Sequence, residues 1–315
     1  MLLITGGMGF IGLHTARRFL DAGERVVLTQ FRARREPDFI KDALGSTAVV
    51  ETLDVAEEDS LLPIVERHAV DSVVHLAVPG LGALTPAEEY RTNTRGLLNV
   101  LETAREARMR RVTVASSISV YRGLERGPLH EDALLPLTSS NPTEAYKKAE
   151  EVLGQHYADR TGIDVVFARI AGIYGPLYHS MANLPSRLAH AAVKGVQPDF
   201  TGARGGVPLA EDTNDLCYVK DCARGVQLIH SAPTLRHRVY NVGGGCAVTN
   251  AELAEAVNQA VPGANIQLAP GKSPRAVPAF YLDLSRVREE VGYEPEYDVR
   301  RGIKDYVTWL RRNAQ

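Results

Sequence analysis

Three groups of residues in this chain have the types and spacing to do chemistry. The first is Thr5-Gly6-Gly7-Met8-Gly9-Phe10-Ile11-Gly12, with Gly6, Gly9 and Gly12 at every third position. Gly6 permits a tight turn, Gly9 lets the backbone approach a pyrophosphate, and Gly12 lets a following helix lie close to the preceding strand. The free N–H groups and positive dipole end of that helix, near Phe10 and Ile11, would hold the phosphates of a dinucleotide. The second group is Ser116-Ser117-Ile118-Ser119-Val120-Tyr121, consecutive hydroxyls that could hold a substrate oxygen. The third is Thr143-Glu144-Ala145-Tyr146-Lys147, where a hydroxyl, a carboxylate, a phenol and an ammonium fall within about one helical turn.

The surrounding pattern supplies elements to carry these groups. An apolar run to Ile4 reads as a strand, Ile11, Thr15, Phe19 and Leu20 give helical periodicity, and Arg25 to Thr29 is a second strand, completing a βαβ unit. Thr47 to Leu53 reads as the third strand. It is followed by Asp54-Val55, where a carboxylate and a backbone N–H could hold an adenine. After a short helix, Ser60 to His68, the fourth strand runs from Asp71 to Ala77 and is near-continuously apolar, as in a sheet covered on both faces. Its end, His75-Leu76-Ala77, lies at the carboxyl edge where ligands bind, with His75 read as structural.

A long helix, Pro86 to Ala107, carries Asn93 and Asn99, and Asn93 would face the ends of the fourth and fifth strands. Val112 to Ala115 is the fifth strand, and Asn141-Pro142 opens the helix that holds the third group. Beyond Pro176, Leu184 to Val193 reads as a helix and Gly202 to Leu209 as a glycine-rich loop. Tyr218 to Ile229 and Arg238 to Val242 return to the main sheet. Thr249 to Glu252 is a capping box opening a helix to about Val261. Val299 to Arg312 places Ile303, Tyr306, Val307 and Leu310 on one side of a last helix. The expected fold is α/β, a doubly wound parallel sheet of about seven strands with a smaller C-terminal substrate lobe. Residues 1–176 and 212–243 would bind the dinucleotide, and 177–211 and 244–315 would form the lobe.

Bulk properties exclude several classes. With 315 residues, a formal net charge of -2 and a pI near 6.5, the chain has no basic excess for a nucleic acid. No apolar run reaches the length of a membrane span, and the first strand starting at Leu2 leaves no room for a leader. Cys217, Cys222 and Cys246 form no CxxC and accompany no His cluster at ligand spacing. They read as reduced thiols of a cytoplasmic protein without a metal site. Gln30 stands at the end of the second strand, where an NAD-preferring fold usually has an acid for the ribose hydroxyls. With Arg32 and Arg34 close behind, NADP is favoured over NAD, the other reading being a solvated basic loop.

Together these segments resemble the extended short-chain dehydrogenase/reductases, the NAD-dependent epimerase/dehydratase family. The likeness spans nearly the whole chain: the Thr5–Gly12 turn, Asp54-Val55, His75-Leu76-Ala77, Asn93, Ser116-Ser117 with Val120-Tyr121, Arg169 to Pro176, Asp215 with Tyr218 to Asp221, and Tyr240 to Gly244. The resemblance implies nicotinamide-dependent hydride transfer on a sugar, nucleotide sugar or related hydroxylated compound. It implies Ser117 as the catalytic hydroxyl and a homodimer formed through the long helices carrying Asn93 and Lys147.

The chain departs from the family at two places. The family's catalytic helix carries YxxxK, in which the Lys binds the nicotinamide ribose and favours the phenolate of the Tyr. Here Tyr146 has Glu150 four residues on. Matching Lys147 to the family lysine keeps the register without a gap and puts Thr143 at the Tyr position; keeping Tyr146 as the base requires a three-residue deletion inside a helix. An alkyl hydroxyl is far less acidic than a phenol, so three readings stay open. Tyr146 could swing in, a substrate group or another side chain such as Glu144 could carry the proton, or the protein could bind cofactor as a regulatory protein with little catalysis. The second departure is Asn214, where nucleotide-sugar enzymes of the family have an Arg for the diphosphate; Arg275 or Lys272 would have to supply the charge. A dehydrogenase acting on a small non-nucleotide substrate is the remaining alternative.

Overall fold

A computed structural model describes residues 1–31, 38–78, 84–201, 206–274 and 276–313. Along the chain come β1 (Leu2–Thr5), α1 (Phe10–Asp21), β2 (Val26–Gln30), β3 (Ala48–Thr52), α2 (Leu62–His68), β4 (Ser72–His75), α3 (Pro86–Glu106), β5 (Arg111–Ser117), α4 (Pro142–Thr161), β6 (Val165–Ile170) and β7 (Gly172–Tyr174). The remainder is α5 (Leu184–Lys194), β8 (Thr213–Asn214), β9 (Leu216–Tyr218), α6 (Val219–Ser231), β10 (Val239–Val242), β11 (Val248–Thr249), α7 (Asn250–Ala260), α8 (Ser285–Val291) and α9 (Val299–Leu310).

Seven parallel strands form the sheet in the order β10-β6-β5-β4-β1-β2-β3. The order reverses between β1 and β4, which opens a crevice at the carboxyl edge. Successive strand residues point to opposite faces. Leu2 and Ile4 therefore join Leu13, Phe19, Val226 and Ile229 under α1 and α6, whereas Leu3 joins Leu97, Val100, Leu101 and Ala158 under α3 and α4. Cover on both sides explains why every residue of β1, β4 and β6 is buried, the polar Thr5, Ser72, His75 and Arg169 included. A third core, with Leu188, Leu253, Val257, Ile303 and Tyr306, joins α5, α7 and α9. All four expected apolar residues of α9 are buried there or at its edge.

Differences from the sequence reading are local. β5 continues to Ser117, because Ser116 and Ser117 pair with Arg169 and Ile170 and prolong the ladder beyond Ala115. Two small sheets, β7 with β9 and β8 with β11, and the helix α8 are too short to leave a periodic signal. Leu282, Leu284, Val287 and Tyr293 pack with Tyr240 and Val242 of β10 in the core over the main sheet, apart from α7 and α9. Among the described residues no helix is long and apolar enough to cross a membrane. No group of potential metal ligands is found among them either, and all three cysteines are free.

Candidate dinucleotide and substrate site

The glycine turn is shaped by close backbone approach. Gly6 has a φ of +66°, and a Cβ there would lie 3.0 Å from the Ala77 nitrogen at the end of β4. At Gly12 a Cβ would fall 2.4 Å from the Gly6 carbonyl oxygen, so the helix can start against the turn only with glycine. Gly9 is different: a Cβ there would meet only the Gly6 oxygen, at 3.1 Å, and otherwise open space. Gly9 is also the N-cap of α1, and no side chain caps that first turn. The N–H groups around Phe10 and Ile11 are thereby left to an anion. The Phe10 ring sits edge-on to Tyr178, at 5.0 Å between centroids.

Beside this turn a cleft of about 180 Å³ is lined by Gly6, Thr29, Gln30, Phe31, Leu53, Asp54, Val55, Ala77 and Val78. Arg32 and Arg34 lie outside the described residues. Thr29 accepts from the Gly6 N–H at 3.1 Å and so ties β2 to the turn. Asp54 accepts from the Ala56 N–H at 3.0 Å, and Asn99 donates to the Val55 carbonyl at 2.9 Å. Sequence reasoning named Asn99 without giving it this task; its placement on the α3 face toward β3 was the available signal. The Leu76 N–H donates to the Thr5 carbonyl, and the Ala77 N–H to the Thr5 hydroxyl. His75 is buried and hydrogen-bonded to that same hydroxyl at 2.7 Å; burial, with the Lys147 charge adding to it, pushes its pKa down to about 3. A larger hollow, about 360 Å³, lies at the opposite, amino edge of the sheet beside Met1, Glu24, Arg25, His68 and Ala69.

On the other side of the crevice, Ser117 ends β5 half-buried, its hydroxyl accepting from the Ser119 N–H at 3.1 Å. Its neighbour Ser116 donates to Glu151, which in turn holds Arg169 through contacts of 2.6 and 2.9 Å. Arg169 also reaches the Tyr121 hydroxyl at 2.8 Å and the Glu131 carbonyl at 3.1 Å. The Tyr121 hydroxyl donates to the Asn241 side-chain oxygen of β10 at 2.8 Å. One buried network therefore fixes the ends of β5, β6 and β10 around the hydroxyl run. Burial dominates at Tyr121 and pushes its pKa up to about 12.

Asn141 caps α4 by accepting from the Glu144 N–H at 3.0 Å, with Pro142 at the head of the helix. Thr143 is half-buried in the first turn, one turn before the buried Lys147. Tyr146 points elsewhere. Its side chain is 2% exposed, its hydroxyl donates to the Asn93 carbonyl at 2.8 Å, and burial together with the nearby Glu150 carboxylate raises its pKa strongly. In this arrangement the phenol is neither accessible nor ionisable near neutrality, and a swing toward the crevice would strip a buried hydrogen bond. Asn93 accordingly offers its main-chain carbonyl to Tyr146, while its amide donates to the Glu89 carbonyl at 2.8 Å.

Glu144 is no freer. It accepts from Lys148 at 2.8 Å and from the N–H and hydroxyl of Ser140, each at 2.9 Å. Burial opposes its ionisation, but these donors outweigh it and hold the carboxyl below the usual range. Lys147 bonds to the Ala115 carbonyl and pairs with Glu150 at 2.7 Å. Sequence reasoning assigned no role to Glu150 or to Glu151. No local signal marked them, because two adjacent acids one turn after Lys147 and Lys148 read as a solvated helix face.

In the substrate region, Asn214 lies exposed in β8 and donates its amide to Asn250 at 3.3 Å. Arg275 is outside the described residues, and Lys272 is exposed. The adjoining Asp215 is buried and accepts from the N–H groups of Gly244 at 2.7 Å and Leu282 at 2.9 Å, with burial pushing its pKa up to about 6.

A doubly wound sheet with a glycine turn, an uncapped helix start and an adenine-sized cleft defines a dinucleotide-binding α/β protein. Residues 2–243 match the NAD dependent epimerase/dehydratase family, and the chain belongs to that family. It is 26% identical to UDP-glucuronate 4-epimerase of Thermodesulfobacterium geofontis over 331 residues, covering 99% of this chain and 97% of that one. It is 27% identical to dTDP-glucose 4,6-dehydratase of Streptomyces niveus, covering 99% and 93%. The fold is shared with UDP-glucose 4-epimerase of Thermotoga maritima, solved with UDP-glucose, at a TM-score of 0.83, 22% identity and coverage of 100% and 99%. It is also shared with a partial consensus L-threonine 3-dehydrogenase at a TM-score of 0.81, 23% identity and coverage of 99% of each chain.

Proposed function

We propose that the chain holds a nicotinamide dinucleotide with its pyrophosphate at the start of α1 and its adenine beside Asp54 and Val55, and acts by hydride transfer at a hydroxyl-bearing carbon of a nucleotide sugar. The observation that carries this reading is the open first turn of α1 behind Gly9, which has backbone donors but no side-chain cap. The bound cofactor supplies the hydride acceptor. Ser117 holds the reacting oxygen, Lys147 anchors the ribose, and Leu76, Ala77 and Asn93 close the cofactor side. Thr143 positions a hydroxyl at the substrate but cannot serve as a general base, because its acidity is too low. The nucleotide-sugar class is supported by relatives that act as UDP-glucuronate 4-epimerase and dTDP-glucose 4,6-dehydratase.

Residues 1–176 with 212–243 carry the cofactor in this reading, and the core of α5, α7 and α9 supports a separate substrate lobe. A preference for NADP rests on Gln30 in place of an acid, with Arg32 and Arg34 following; equal or tighter binding of NAD would remove it. A homodimer through α3 and α4 is supported by Tyr90, Leu98, Val152 and Leu153, large apolar side chains exposed on those two helices. A cytoplasmic location agrees with the free cysteines. A second reading, a small non-nucleotide alcohol as substrate, is favoured by one observation: Asn214 is uncharged and spends its amide on Asn250. The fold shared with an L-threonine 3-dehydrogenase is compatible with it.

The test mixes cofactor-loaded protein with UDP-glucose, UDP-glucuronate and dTDP-glucose and follows nicotinamide absorbance and sugar products. Conversion of one of them that collapses in Ser117→Ala and Lys147→Ala supports the enzyme. Loss of cofactor affinity alone in those variants, with no turnover in the parent, points to a binding module. No binding across the panel favours the small substrate.

A further inference from the structure

The ion pair at the root of α4 is unusual in its burial. Glu150 is 0% exposed, its Oε2 lies 2.7 Å from the Lys147 Nζ, and its Oε1 has no hydrogen-bond partner. Lys147 is only 5% exposed and shares its ammonium between this carboxylate and the Ala115 carbonyl of β5. A carboxylate oxygen left without a donor in a dry site is costly, so such a group calls for a role. The Tyr146 hydroxyl lies beside this carboxylate, but its O–H is directed to the Asn93 carbonyl at 2.8 Å. Nor is Glu150 needed to neutralise the neighbouring network, in which Glu151 already has Arg169.

We infer that Lys147 and Glu150 act as one ionisable pair whose proton count follows the redox state of the bound nicotinamide, with Glu150 storing the proton that oxidation of a substrate hydroxyl releases. This rests on the proposed hydride-transfer function and names what handles the proton in the absence of a phenol at position 143. On oxidation the substrate C–H bond breaks, with the electron pair leaving as hydride to the nicotinamide, and the O–H bond breaks, its proton taken by the Lys147 nitrogen as that nitrogen gives one of its own to Glu150. One ammonium proton crosses the 2.7 Å contact to Glu150. Lysine stays an ammonium, the carboxylate becomes a carboxylic acid, and a carbonyl forms on the substrate; reduction returns each proton by the same route. Glu150 acts through Lys147 and is a positioning residue.

Electrostatics favour this linkage. An oxidised nicotinamide carries a positive charge that reduction removes, so a nearby carboxylate is favoured ionised in the first state and protonated in the second. Burial already raises the pKa of Glu150, opposed by Lys147. The other titratable groups around the pair are Tyr146 and Glu151 on α4, His75 on β4, Arg169 on β6, Tyr121 after β5 and Glu89 on α3. His75 stays neutral with its pKa near 3, Tyr121 and Tyr146 are held protonated, and of the two buried acids next to each other on α4 Glu151 is locked to Arg169, so that Glu150 is the one in contact with Lys147 and placed to exchange.

Calorimetric titration of oxidised and of reduced cofactor, each in two buffers of different ionisation enthalpy at neutral pH, counts the protons exchanged on binding and needs no substrate. Binding of the reduced form should take up more protons than binding of the oxidised form, and Glu150→Gln should abolish the difference. Glu150→Leu, which removes the titrating group and leaves the Lys147 ammonium in place, should abolish it too and serves if the glutamine variant does not fold. Equal proton uptake for the two forms in the parent protein, or a difference that survives Glu150→Gln, overturns the inference while leaving the functional reading in place. Failure to bind either form sinks the functional reading, and the inference with it.

Discussion

Replacing Arg169 by methionine should be among the most damaging single changes outside the glycine turn. The residue is 4% exposed, and its guanidinium makes three contacts to Glu151, at 2.6, 2.9 and 3.2 Å, and one each to Tyr121 and the Glu131 carbonyl. Methionine fills much of the volume but leaves the Glu151 carboxylate buried with only the Ser116 hydroxyl. Removing one partner of a buried pair costs about 3–5 kcal/mol, most of it the stranded charge. Urea unfolding of the cofactor-free protein should therefore show an unfolding free energy lowered by that amount, seen as a midpoint shifted down by that amount divided by an unchanged slope. The double change Arg169→Met with Glu151→Leu should recover a large part of the loss, because no charge is left behind. A single variant within about 1 kcal/mol of the parent, or a double variant as unstable as the sum of both singles, would show that the network does not hold the strand ends together.

Two further outcomes follow from the same geometry. Tyr146→Phe removes one buried hydrogen bond to Asn93 and should cost about 0.5–1.5 kcal/mol of stability while leaving kcat unchanged; a loss of about a hundredfold or more in kcat would make Tyr146 the general base after all. Val152→Glu, on the exposed apolar stretch of α4, should turn the dimer proposed above into a monomer in sedimentation velocity without changing the melting temperature of the monomer unit. An unchanged sedimentation coefficient would place any interface elsewhere.

Much of this architecture was legible because long elements carry strong signals. The apolar runs of β1 and β4, the glycine spacing, the capping box before α7 and the stripe along α9 are local patterns, and each specifies its element almost residue by residue. The fate of Tyr146 was not legible. Its identity suggested a base, but whether a helical side chain meets the crevice or the neighbouring α3 depends on how far α4 is rotated, and that is set by packing between distant segments. The pairing of Glu150 with Lys147 and of Glu151 with Arg169 is hidden for the same reason. A pair of adjacent acids on a helix normally marks a solvated face, and only the three-dimensional contacts show both to be buried. Asn99 could be located on a helix but not connected to the Val55 loop, since that contact spans 44 positions in the chain.

The central claim is that the glycine turn and the open end of α1 hold a dinucleotide, and Gly9 allows it to be tested without disturbing the fold. A side chain there has extended backbone geometry, with φ at -84° and ψ at 178°, and its Cβ meets only the Gly6 carbonyl oxygen, at 3.1 Å, which must give slightly, yet it would occupy the ground before the helix N–H groups. NAD and NADP titrated calorimetrically into the parent and into Gly9→Val should bind the parent. The variant, still folded though with a melting temperature lowered by the poorer N-cap, should lose tenfold or more in affinity, about 1.4 kcal/mol. A parent that binds neither nucleotide, or a folded Gly9→Val that binds as tightly as the parent, would contradict the account.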